Sequence, residues 1–284
     1  MIWPDGFALA VMATKFALYL GVLGAAGTVM AALMFRLERT RALAGGFAIV
    51  GAGAALFDFS LRGGNLAGEM SGMIDPEMLG LLWSTSVGTA LLLRLCGLGL
   101  LITGLFMARA GPWVSVVGGV IAIFSFLQVG HISARDTTLL DLALTLHLLA
   151  IALWIGILVP LKRLTYAAQS YAMAADVGHR FGVVASVTVP ALILVGGYMG
   201  YQLVGSFSAL VGSGYGQALI IKAVLFAALL GLGALNKLRF VPALRIGDPA
   251  AATHLRNSIR VEGLIILGIL GVSAILTSNL ALPL

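Results

Sequence analysis

Long apolar runs separated by short polar segments set the pattern of this chain. Each run is close to or above the roughly 20 residues needed to cross a bilayer core as a helix. Eight are readable, at about 7–35, 43–60, 79–108, 112–131, 138–160, 181–204, 214–236 and 257–278. The first and third are long enough to tilt or to project beyond the bilayer. No linker divides them. The expectation is an all-α, polytopic membrane bundle of eight transmembrane helices in a single domain over residues 1–284. Small residues, as in Gly196-Gly197-Tyr198-Met199-Gly200, let helix backbones approach closely in lipid.

Composition sharpens this picture. Hydrophobic residues make up 60% of the chain and charged residues 10%, against about 25% charged in soluble domains. That excludes a soluble globular enzyme, a disordered chain and a secreted disulfide scaffold. A pI near 9.8 would otherwise suggest nucleic acid, but the basic residues fall in short loops between spans, so the expected partner is the lipid bilayer. The lone cysteine, Cys96, lies inside an apolar run. No phosphate loop, Cys-x-x-Cys or His-Glu-x-x-His occurs, and the chain is not expected to be an enzyme. The start carries only Asp5 before the first apolar run, so no cleavable signal is expected.

Lys and Arg set the orientation. Twelve of the seventeen, from Arg36 to Arg260, fall in loops on one side; Arg62 and Arg135 fall on the other; Lys15, Arg94 and Lys222 lie within spans. The bias places the first side in the cytoplasm and both termini in the periplasm, in the cell inner membrane. The outward side carries Asp5, Glu69, Asp75, Glu77, Asp136 and Asp141, with Asp58 near it. Asp58, Glu69, Asp136 and Asp141 form a candidate cation-attracting mouth. Loops depleted of Lys and Arg by the orientation rule explain the same pattern equally well.

Candidate chemistry is sparse. His179 and His254 fall in polar loops, whereas His131 ends the fourth span and His147 lies in the fifth. Both sit on the outward half of adjacent helices. Imidazole binds copper, zinc and haem iron, although a buried histidine bonded to a nearby backbone group is the ordinary case. Met70 and Met73 form Met-x-x-Met in the longest outer loop, and Met12 and Met199 lie in the outer parts of spans. Thioethers select Cu(I) over hard cations, yet methionine is also a common gap-filler in packing. Lys15, Arg94, Lys222 and Glu262 are intramembrane charges acting in packing or as a gate. Asp58, Asp141 and helix carbonyls are the expected partners of the three cations, and a basic neighbour that of Glu262.

The segment His147-Leu-Leu-Ala-Ile-Ala-Leu-Trp154-Ile-Gly156 resembles the His/Trp/Gly signature of the copper resistance protein D family. Gly130-His131, Arg180-Phe181, Tyr215-Gly216 with Lys222, Asn236 with Val241-Pro242-Ala-Leu244, and Arg256-Asn-Ser-Ile-Arg-Val-Glu262 fit the family in order. The resemblance covers about residues 80–280; the first two spans match by hydropathy alone. It implies an eight-span inner-membrane protein linked to copper uptake from the periplasm, with His131 and His147 as copper ligands. A periplasmic copper-binding protein is an implied partner. The expected metal is Cu(I) ahead of Cu(II), moving inward along a path lined by His131, His147 and methionines. Two alternatives stand beside transport. One is a membrane electron-transfer protein with a bis-His haem; the other is a non-transporting partner that delivers copper to an oxidase under assembly.

Overall fold

The computed structural model describes residues 6–130, 138–278 and 280. The described residues form helices α1 Gly6–Phe35, α2 Arg41–Ala67, α3 Pro76–Trp83, α4 Ser86–Phe106, α5 Gly111–Phe124, α6 Thr138–Leu164, α7 Tyr171–Val204, α8 Phe207–Gly212, α9 Gly214–Leu235, α10 Val241–Arg245 and α11 Pro249–Ser278. A π-helical turn, Asn236–Phe240, joins α9 to α10. Seven helical stretches are long and apolar enough to cross a membrane, and Gly111–Leu127 is a shorter apolar one. The chain is a multi-pass helical membrane protein.

The run expected as one span over 79–108 is two helices. Asp75 accepts from the Glu77 amide at 2.8 Å and caps α3, whose first residue is Pro76. Thr85 accepts from the Val87 amide at 3.1 Å and caps α4. These caps satisfy backbone donors that would otherwise be left open at each helix start, so the chain turns at Ser84. Elsewhere the helices outrun the apolar runs. Helix α7 begins at Tyr171 and α11 at Pro249, because the segments carrying Asp176, His179 and Arg180, and His254 and Arg256, are helical ahead of the apolar runs.

Helix α1 is the hub. It packs against α2, α5, α6 and α11, with slighter contact to α4. Helices α6, α7, α9 and α11 make up the second half. Lipid gives no hydrophobic drive between helices, so close backbone contact does this work. The tightest place is the α1–α6 crossing. A Cβ at Gly27 would lie 1.7 Å from the Ala152 carbonyl oxygen, and one at Gly156 would lie 2.0 Å from the Gly27 carbonyl carbon. Only glycine fits on either side, and this crossing fixes the height of α6 and therefore of His147.

Candidate functional site

His131 and Asp136 lie outside the described residues. His147 lies nine residues into α6, about 14 Å along its axis. Its Nδ1 is buried and has no hydrogen-bond partner. Residues three, four and seven apart share a helix face, so Leu140, Ala143, His147 and Trp154 lie along one stripe of α6. Leu140 and Ala143 pack with buried Met199 of α7. Ala143 lies one helical turn before His147 on that stripe. Among the described residues, Lys222 of α9 is the charged group whose field reaches the ring.

Further along the same stripe, about 10 Å from His147, Trp154 borders a cavity of about 410 Å³ between α6, α7, α9 and α11. Phe181, Pro190, Asn236, Lys237 and Glu262 are among its other lining residues. Glu262 is 3% exposed. Its Oε2 accepts from Trp154 Nε1 at 3.1 Å and its Oε1 accepts from Asn236 Nδ2. The basic partner expected for Glu262 is not there: no Lys or Arg pairs with it among the described residues. Arg256, six residues before Glu262, donates to the Thr165 carbonyl at 2.9 Å and lies over the Tyr166 ring. Lys237 donates to the Ser186 hydroxyl across the cavity. Asn236 Oδ1 is buried without a partner. Buried polar atoms are normally bonded, so His147 Nδ1 on α6 and Asn236 Oδ1 at the end of α9 are two open polar positions.

The other half holds the remaining charges. Asp58 is not at a mouth. It is 4% exposed and accepts from Arg62 Nε at 3.0 Å, because a buried carboxylate one helical turn from an arginine pairs with it. Lys15 donates to the Thr277 carbonyl, as expected of a helix carbonyl partner. Arg94 donates to Ser125 Oγ at 3.0 Å and lies 5.0 Å from the centre of the Phe126 ring.

The other expected ligands divide. Met70 is 68% exposed in a short turn. Met73, in the same turn, packs onto α2, with its Cγ 2.9 Å from where a Gly64 Cβ would be. Met12 is half-buried three residues before Lys15 on α1. Glu69 accepts from Ser71 Oγ at 2.5 Å, and Asp141 lies in the first turn of α6. Among the described residues no three or more His, Cys, Asp or Glu converge as a metal cage. Trp154, Asn236, Ser186 and Lys237 were not legible as site residues. A tryptophan seven residues from a histidine and an asparagine closing an apolar run were the available signals.

Two family models match the chain. The copper resistance protein D-like N-terminal domain matches residues 5–142, and copper resistance protein D matches residues 175–276. The chain belongs to the copper resistance protein D family. No curated protein matches it. No solved structure matches it. The copper resistance protein D matches extend the likeness to α1 and α2, which the residue motifs had tied only by hydropathy. His147 and Trp154 fall between the two matched regions, whereas Met199, Lys222, Asn236 and Glu262 fall inside the second. The family ties this multi-pass membrane protein to copper handling, and neither match names haem.

Proposed function

We propose that this protein moves copper from the acidic to the basic end of the bundle along the seam between α6, α7, α9 and α11. It does so without catalysing a covalent reaction. The observation that carries the reading is His147 Nδ1, buried and unpartnered one helical turn from Ala143, which packs with Met199, on the α6 stripe that leads to the Glu262 cavity. An imidazole nitrogen and a thioether favour Cu(I) over hard cations. Few ligands suit an ion that must leave again. His131, just upstream of α6 in sequence, is the candidate acceptor at the entrance, and exposed Met70 a candidate collector. The oxygens of Glu262 and Asn236 hold Cu(I) weakly and so favour onward passage. Three cations at the acidic end of the other half, Lys15, Arg62 and Arg94, oppose a copper path there. The positive-inside rule makes the basic end cytoplasmic, so the flux runs inward across the inner membrane. A soluble periplasmic copper protein is the proposed donor.

The test is copper uptake into proteoliposomes, with and without a reductant that keeps copper as Cu(I). Wild type should load vesicles fastest under reduction, and His147→Ala should lose most of that flux. Equal uptake by both overturns the transport reading. Stoichiometric copper binding at His147 with no flux would instead identify a copper-delivery partner.

A further inference from the structure

Three cations meet one carboxylate where α1, α2 and α4 face the ends of α5 and α11. Lys15, Arg62 and Arg94 supply the positive charges, and Asp58 is the one acidic group whose field reaches both Lys15 and Arg94 among the described residues. Asp58 is already paired with Arg62. The bonds to Lys15 and Arg94 come from neutral groups, the Thr277 carbonyl and the Ser125 hydroxyl. Tyr19 closes the group, with its hydroxyl 2.8 Å from Thr277 Oγ1 and its ring 5.4 Å from that of Phe126. Neutral dipoles spread charge without cancelling it. The formal sum of three cations and one anion is two positive charges, in a region where Arg94 and Asp58 are each 4% exposed.

Charge inside a membrane protein is stable when it is paired or hydrated. Among the described residues the pairing is incomplete, and a partner that completes it carries negative charge. The Arg62 side chain is 31% exposed, so the cluster can be reached from the acidic end. We propose that Lys15, Arg62 and Arg94 together bind a small inorganic anion, with chloride as the first candidate. The anion supplies the counter-charge that lets α1, α2 and α4 pack with three cations between them. It is separate from the copper seam and does not depend on it. Asp58 competes with it for the same cations.

The experiment is thermal unfolding of the detergent-purified full chain in chloride-free gluconate buffer. Chloride is titrated in at constant ionic strength, and binding is counted in parallel by equilibrium dialysis with radiolabelled chloride. The expected result is a saturable rise in Tm with about one ion bound. Arg62→Gln should shift the midpoint to higher chloride by about tenfold, and Asp58→Asn should shift it to lower chloride by a similar factor. Arg62 is partly exposed, so its replacement tests the site even if Arg94→Gln does not fold. No saturable response in wild type, or the same midpoint in wild type, Arg62→Gln and Asp58→Asn, overturns the proposal.

Discussion

Trp154 Nε1 donates to Glu262 Oε2 at 3.1 Å and so ties α6 to α11 across the cavity. The carboxylate has two neutral donors and, among the described residues, no cation, so each donor matters more than in a salt-bridged site. Trp154→Phe leaves the carboxylate with Asn236 alone. It should lower stability by about 1–3 kcal/mol, the cost of an unmet buried polar group. Glu262→Gln keeps an acceptor for Trp154 and should cost less. Thermal unfolding of the two variants in detergent gives the order.

Met199 tests whether the thioether is a ligand or a filler. Met199→Leu conserves volume, which packed cores tolerate, and Met199 sits among Leu140, Ala143 and Val195. Stability should change little. Cu(I) affinity should fall about tenfold, equivalent to ~1.4 kcal/mol. Competition against a chromogenic Cu(I) chelator measures it. An unchanged affinity would return Met199 to packing alone.

Lys222 acts on His147 by charge. A positive neighbour opposes a bound cation and speeds its departure. Lys222→Gln should therefore tighten Cu(I) binding, by on the order of 1–2 kcal/mol for unit charges roughly 8–16 Å apart at a protein-like dielectric. It should also slow vesicle loading. Lys222→Arg should keep the wild-type balance. The chelator and uptake assays together separate a charge effect from a packing effect.

The helices were legible and the cavity was not, for different reasons. Hydropathy finds any segment that must satisfy its backbone inside lipid, so 7–35 and 214–236 fall within a residue of Gly6–Phe35 and Gly214–Leu235. It fails where polar residues stay helical, as in the first turns of α7, and where capping breaks an apolar run, as at Thr85. Trp154 and Asn236 read only as parts of sequence motifs, and Glu262 as an intramembrane charge expected beside a basic residue. Their meaning comes from a meeting across 108 and 26 positions of sequence. Asp58 read as part of a mouth because its span was expected to stop near residue 60. Helix α2 runs on to Ala67, which leaves Asp58 inside.

Orientation gives the sharpest check on the direction of copper movement. Twelve basic residues mark one end of the bundle, and membrane insertion retains such loops in the cytoplasm. Cys96 is exposed on α4, ten residues from its start, and so faces lipid about 15 Å along the helix. Cys96→Ala gives a clean background. Ser71→Cys marks the turn after α2, and Gln169→Cys marks the turn before α7. A membrane-impermeant maleimide added to intact spheroplasts should label Ser71→Cys and spare Gln169→Cys. Permeabilised cells should label both. The reverse pattern would put the Glu262 cavity nearer the outer face and turn the proposed uptake into export.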